Sequence, residues 1–296
     1  MSKKVLIAGG GIAGLTTGLA LTRAHADVHI LERAPKLTEV GAGVQLGPNV
    51  TRILDAWGLL PAVQKVAFYP KNLQARNANS GEVLATLTLS DIAKRYGAPY
   101  ITIHRADLQN TLLQEVQASG ITLQCDTHVQ KLHQDSRQVN VTFSQGMPTN
   151  GDANQTASTS MQDQSQSQSE SADALVIADG VWSNLRQQLL SDGPPRMTGH
   201  LAYRALVRQA DLPPHLRTQD VSVWMGNKVH VVQYPVRAGD WLNVVCLTEG
   251  QLQGVGSQDL QDWNVYKTPQ ETNTDLQSAL QGACPHLQVL VEACSQ

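Results

Sequence analysis

The feature that most restricts this chain is the run Gly9-Gly10-Gly11-Ile12-Ala13-Gly14, set between two apolar stretches. Lys4-Val5-Leu6-Ile7-Ala8 before it reads as a strand covered on both faces. Ile12 to Ala24 has helical composition, and Val28-His29-Ile30-Leu31 reads as a second strand ending at Glu32. A strand, a glycine turn, a helix and a strand in this order predict a βαβ unit and a parallel sheet. The glycine pattern then has a physical purpose. Gly9 allows the tight turn, Gly11 lets backbone approach a pyrophosphate, and Gly14 lets the helix pack close to the strand. The helix N-terminus offers unpaired N–H groups to the phosphates. Glu32 stands where a carboxylate can accept both hydroxyls of an adenosine ribose. Together these features predict dinucleotide binding, and they do not separate FAD from NAD.

Composition narrows the rest. A net charge of −3, with only 16% charged residues, gives no reason to expect nucleic acid or an anionic membrane as partner. Aromatics at 4% are too few for a base-stacking platform. Cys125, Cys246, Cys284 and Cys294 form no CxxC pair, so reduced thiols are expected rather than a disulfide framework or a metal site. Val5 to Thr22 is uncharged and follows Lys3-Lys4, but its glycines and the absence of an obvious cleavage site argue against a signal peptide or span. The expected location is cytoplasmic.

Along the chain, Gly41 to Pro48 reads as a glycine-rich loop before a helix from Asn49 to Trp57. Residues 72–103 read as short strands, Asp107 to Ala118 as an amphipathic helix, and 121–144 as three more strands. Residues 147–172, rich in Gln and Ser, lack the apolar surface to offset their ordering entropy and read as a disordered insertion. Asp173 to Ala178 reads as a buried strand. Asp179-Gly180 follows, where the Asp either serves a nucleotide or caps the next helix. Residues 200–247 read as alternating strands and 270–294 as helical.

Several segments carry a resemblance. They are residues 41–49 (Gly-Ala-Gly-Val-Gln-Leu-Gly-Pro-Asn), Tyr100 to Leu108, Asp173 to Arg186 (DALVIADGVWSNLR), Tyr203 to Val207, and His230 to Val236. In these the chain resembles the single-component FAD-dependent aromatic hydroxylases, the salicylate and 6-hydroxynicotinate monooxygenase group. The resemblance implies an α/β fold: a Rossmann-like FAD-binding domain with a parallel sheet, plus a substrate domain with a mixed β-sheet. The implied division is 1–72 with 101–190 for FAD, 73–100 with 191–270 for substrate, and 271–296 as a helical end.

The implied cofactor is FAD, with NADH or NADPH as co-substrate and O2 and a small phenolic or aromatic carboxylate, such as salicylate, as reactants. Hydroxylation would run through a flavin hydroperoxide. Gly9, Gly11, Ala13, Gly14 and Glu32 would hold the ADP half, with Arg33 near the adenosine. Val44, Gln45 and Arg105 would lie near the ribityl and ring half, and Asp179 would serve the "DG" motif. Arg105, expected at a strand end, could bond a pyrophosphate or ribityl oxygen, or form a surface ion pair. His230 and Tyr234, four apart on a strand, would share a face with Val232. His230 would accept a phenol proton and Tyr234 would orient the oxygen; the other reading of His230 is a strand histidine satisfied by a neighbour. Gln45 stands where some relatives carry His, and a Gln cannot act as a base.

No Gly-Asp motif of the family's kind follows Tyr234, since Gly239-Asp240 sits in a hairpin-like turn. The expectation is therefore that the C-terminal part of the FAD domain is missing, with weak FAD retention. A non-hydroxylating flavoprotein oxidoreductase on the same fold, and a catalytically dead nucleotide-binding fragment, stay open on sequence alone.

Overall fold

The structure, a computed structural model, describes residues 2–38, 42–146, 167–196, 198–249 and 267–294. In chain order its elements are β1 (Lys4–Ala8), α1 (Ile12–Arg23), β2 (Asp27–Leu31), β3 (Gly43–Leu46), α2 (Pro48–Ala56), α3 (Leu60–Gln64), β4 (Asn72–Asn77), β5 (Val83–Thr88), α4 (Leu89–Tyr96), β6 (Ile101–His104), α5 (Arg105–Ala118), β7 (Thr122–Gln124) and β8 (Thr127–Gln134). These are followed by β9 (Val139–Gln145), β10 (Gln168–Ala172), β11 (Ala174–Ile177), α6 (Asn184–Leu190), β12 (His200–Arg208), β13 (Val221–Met225), β14 (Val229–Val236), β15 (Trp241–Glu249), α7 (Pro269–Ala279) and α8 (Pro285–Ala293). The chain forms two compact units, Met1–Glu39 with Gln109–Arg196, and Val40–Leu108 with Met197–Gln296. Segments 40–72, 101–108 and 271–296 thus belong with the second unit, a different division from the one expected. No described helix is long and apolar enough to cross a membrane.

The first unit holds the predicted parallel sheet, in the order β11-β1-β2-β7. The turn from β1 into α1 is as tight as the glycine pattern implied. Gly9 has φ of +106°, and a Cβ on it would lie 2.4 Å from the Ala178 carbonyl oxygen. A Cβ on Gly14 would lie 1.8 Å from the Gly9 carbonyl oxygen, so the helix rests on the turn itself. The other layer is the antiparallel sheet β10-β9-β8. Between the two sheets Leu6, Ala8 and Leu31 pack with Val129, Val141, Phe143 and Leu185. Full burial of side chains of this size contributes about 1.5–3 kcal/mol each.

Strand β10 corrects the expectation of disorder over its own span. Gln168 to Ala172 pairs with β9, from Gln168 opposite Phe143 to Ala172 opposite Val139. The strand is polar, which hides it from hydropathy. It is held by backbone pairing and by Glu170, whose carboxylate meets Lys4 Nζ at 2.9 Å and His29 Nδ1 at 3.0 Å. The disorder expected over 147–166 falls outside the described residues.

The second unit is built on a six-stranded mixed sheet in the order β12-β15-β14-β13-β4-β5, in which β13 and β4 run parallel. One face packs on α7 and α8 through Trp224, Val231, Leu242, Val244, Leu276, Leu287 and Leu290. The expected single helical end is two helices. They are separated where Gly282 takes φ of +82° and Pro285 starts the next helix. The opposite face carries Val221, Tyr234 and Val236. A two-stranded antiparallel ribbon, β3-β6, lies against it. Strand β3 corrects the loop expected over Gly41 to Pro48. Helix α4, ended by Gly97 at φ of +70°, corrects the all-strand reading of 72–103.

Candidate functional site

The first unit contains a cleft of about 200 Å3 at the carboxyl ends of β1, β2 and β11. Such a crevice is the usual ligand position in an open α/β sheet. Gly9, Gly11, Glu32, Arg33 and Asp179 all line it. Gly11 is the N-cap of α1 and supplies no side-chain cap, and no acidic residue occupies the first turn. The helix therefore presents open N–H groups and the positive end of its dipole. A Cβ on Gly11 would meet nothing within 4 Å, so its missing side chain leaves open space rather than relieving a clash.

Glu32 is already engaged. One carboxylate oxygen accepts from the Gly10 N–H and the other from the Ala34 N–H at 2.8 Å. Each oxygen keeps a further lone pair for a ligand hydroxyl. Asp179 does not cap the following helix: Ser183 does, with its hydroxyl accepting from the Arg186 N–H at 2.9 Å. Instead Asp179 Oδ1 is buried with no hydrogen-bond partner among the described residues. A buried acceptor without a donor is costly in isolation. Ala13 is exposed and Gly14 is buried beneath Gly9, and neither lines the cleft.

Val44, Gln45 and Arg105 belong to the second unit with His230 and Tyr234. Val44 and Gln45 are half-buried on β3, and Arg105 is exposed at the start of α5, its N–H donating to the Ala42 carbonyl. Tyr100 donates its hydroxyl proton to Gln45 Oε1, and the Gln45 side chain lies near enough to Tyr234 to act on its phenol. Burial pushes the Tyr234 phenol up to about 12, with Gln45 and the Arg204 charge acting in the opposite sense. Burial likewise raises Tyr100.

The strand period places His230, Val232 and Tyr234 on one face, as expected, but their surroundings differ. Tyr234 is buried. His230 is exposed about 13 Å further along the strand, opposite Met225 and Leu247, with no hydrogen-bond partner among the described residues. Cross-strand register lines up Arg204, Val245 and Val232 between them. Arg204 is exposed and has no ion pair among the described residues.

The comparisons with known proteins bear on this arrangement directly. A model of the FAD binding domain family matches residues 2–281. This chain belongs to that family. The chain is 33% identical over 290 residues to 3-hydroxybenzoate 6-hydroxylase of Polaromonas naphthalenivorans (strain CJ2), covering 97% of this chain and 64% of that protein. It is 25% identical to 6-hydroxynicotinate 3-monooxygenase of Pseudomonas fluorescens, covering 99% of this chain and 68% of that protein. Among solved structures, Klebsiella pneumoniae HpxO complexed with FAD and uric acid aligns with a TM-score of 0.73 at 22% identity, over 98% of this chain and 65% of the other. A salicylate hydroxylase substrate complex aligns with a TM-score of 0.68 at 21% identity, over 99% and 66%. The chain therefore spans somewhat under two thirds of the length of the first of these relatives. The expected family and the expected α/β architecture both hold.

The cleft fits FAD on its own chemistry. The open N-terminus of α1 suits a pyrophosphate. The unpartnered acceptor of Asp179 suits a hydroxyl, which the ribityl chain and the ribose possess and a phosphate does not. Sequence reasoning missed Thr127 and His128, which arrive from β8 with no motif spacing, and passed over Trp182 and Asn184 inside the quoted Asp173 to Arg186 segment; all four also line the cleft. It also passed over Arg204, which stood inside the quoted Tyr203 to Val207 segment.

Proposed function

We propose that this chain serves an FAD-dependent monooxygenase that hydroxylates a phenolic aromatic carboxylate, consuming NADH or NADPH and O2. FAD, when bound, supplies hydride acceptance from the nicotinamide and activation of O2; the protein supplies position and exclusion of water. In the first unit Gly9, Gly11 and the N-terminus of α1 would take the pyrophosphate, with Gly14 holding the helix close. Ala13, on the first turn of that helix, would be a neighbour of the phosphates, Glu32 would accept from the ribose hydroxyls, Arg33 would lie beside the adenosine, and Asp179 would accept from a flavin-side hydroxyl. Val44 and Arg105 would serve the ribityl and ring half.

In the second unit a substrate ring would lie over the Val232 and Val245 ledge. Tyr234 would orient the phenolic oxygen and Arg204 would pair with the carboxylate, a charge-assisted contact. His230 would take the phenol proton. The observation that supports this reading most is the unpaired guanidinium and the phenol flanking one apolar ledge.

The test is turnover of purified protein with FAD, NADH and 3-hydroxybenzoate under isotopically labelled O2. The expected result is a product carrying one labelled oxygen, formed in step with NADH loss. NADH oxidation that yields only peroxide for every hydroxybenzoate isomer tried, or no NADH oxidation, would overturn the hydroxylase reading.

A further inference from the structure

Asn243 is a buried amide whose two ends are used unequally. It is 1% exposed on β15 and stands opposite Tyr234 of β14, with both side chains on one face of the six-stranded sheet. The Gly43 N–H donates to Asn243 Oδ1 at 2.7 Å. A backbone N–H can only donate, so this contact fixes which end of the amide is the oxygen. The other end, Nδ2, is buried with no acceptor among the described residues. An unfilled buried donor costs stability, and an apolar side chain of the same size would carry none. The reason for an asparagine here therefore lies in its oxygen.

That oxygen holds Gly43 against the Tyr234 ring. A Cβ on Gly43 would lie 2.5 Å from Tyr234 Cε2, 3.0 Å from Val236 Cγ1 and 3.1 Å from Asn243 Cγ. The Gly43 backbone thus fills a slot whose walls are the ring, the valine and the amide. The β3-β6 ribbon is tied down a second time where the Thr102 hydroxyl donates to the carbonyl of Pro235, the residue after Tyr234. Thr102 is fully buried, and its backbone exchanges two hydrogen bonds with Phe68, at 2.8 and 2.9 Å. The Asn243 bond is the tie that reaches Gly43 from the strand beside Tyr234.

From these contacts we infer that Asn243 is a positioning residue for Tyr234. By seating Gly43 against the ring it fixes where the phenol hydroxyl stands. The hydroxyl is at the far end of the ring from the backbone, so a small swing of the ring moves it most, and hydrogen bonds weaken steeply with lost alignment. Asn243 thereby sets how well the site tells a hydroxylated aromatic acid from its counterpart without the hydroxyl.

Because this role rests on the aromatic-acid reading above, the test includes one readout that needs no ligand. In the full chain, Asn243→Leu keeps the volume and removes the oxygen. One unfilled donor, Nδ2, is exchanged for another, the Gly43 N–H, so the variant should melt close to wild type. Amide exchange at Gly43, followed by NMR, should quicken by about tenfold or more, with Thr102 within about twofold of wild type. The ligand readout is calorimetry with 3-hydroxybenzoate and benzoate. Both probes carry the carboxylate, so their affinity ratio isolates the phenolic oxygen. Wild type should favour 3-hydroxybenzoate about fivefold, the effect of one neutral hydrogen bond. Asn243→Leu should bring the ratio near one. Asn243→Asp keeps an oxygen for Gly43 and should retain the ratio, since its charge acts on both probes alike. Gly43→Ala displaces the ring edge with Asn243 intact and should lose the ratio; these last two variants carry the comparison if Asn243→Leu does not fold. A wild-type ratio in Asn243→Leu, even with both affinities lowered together, or unchanged exchange at Gly43, would overturn the inference and leave aromatic-acid binding intact. Equal binding of the two probes by wild type would also overturn it. Binding of neither probe would overturn the substrate reading and this inference with it.

Discussion

The close seat of α1 on the Gly9 turn can be tested by a pair of alanine substitutions three residues apart. At Gly14 the new Cβ would start 1.8 Å from the Gly9 carbonyl oxygen. Real Cβ contacts essentially never fall under 3.0 Å, so helix and turn must part by at least 1.2 Å (3.0 minus 1.8). The obstacle is backbone and cannot rotate away. Overpacking of this kind costs roughly 1–3 kcal/mol, or more, against about 1 kcal/mol gained from alanine's helix propensity. A net loss of about 2 kcal/mol lowers Tm by roughly 4–8 °C in a protein of this size class. At Gly11 the Cβ meets no protein atom, and the backbone there (φ −67°, ψ −177°) is open to any residue. Gly11→Ala should therefore cost under about 1 kcal/mol, the effect of a poorer N-cap. Its methyl group would instead occupy ligand space, and ADP should bind at least about tenfold more weakly. Thermal melting and ADP calorimetry on the two variants decide the matter. Equal loss of Tm in both, or wild-type ADP affinity in Gly11→Ala, would refute the reasoning.

Three further outcomes are expected. Asp179→Ala removes the Oδ1 acceptor, which has no donor among the described residues, so Tm should move by no more than 1–2 °C or so while FAD affinity, followed by flavin fluorescence, falls about tenfold. Arg204→Met should weaken 3-hydroxybenzoate binding by about tenfold or more and leave uncharged phenol binding within about twofold. Partial burial pushes the Glu170 carboxyl up, but the hydrogen bonds and charges of His29 and Lys4 outweigh it and hold the group below its ordinary value. A carboxyl depressed in the folded state stabilises above its unfolded value, about 4.3, and loses that contribution as pH falls through the folded value. Glu170→Gln should thus melt below wild type at neutral pH, and the gap should close below about pH 4; a gap independent of pH would contradict the ion pairs.

The sequence made the first unit legible where the signal is local. The Gly9 to Gly14 turn, the strand ending at Glu32 and the helix opening after Ser183 all rest on contacts within a few residues or on one periodicity. The strand period was enough to put His230 and Tyr234 on one face. It could not say that one is buried and the other exposed, because burial of Tyr234 comes from Gly43 and Tyr100, far away in the chain. The Gly43 to Asn243 hydrogen bond spans 200 residues and the Tyr100 to Gln45 bond spans 55. For the same reason β3 read as a loop: its glycine is there for a neighbouring ring, not for a turn. Strand β10 was hidden by its polarity, since Glu170 is satisfied by two partners that only the folded sheet brings to it.

The Glu32 clamp has a bearing on how such a site can change. The carboxylate that would read the ribose also ties Gly10 and Ala34 through their backbone N–H groups. Recognition and loop architecture therefore draw on a single side chain. A substitution meant only to alter nucleotide preference at this position would also untie the glycine loop. Redesign of cofactor choice would first have to give Gly10 a new acceptor, and only then become free to vary residue 32.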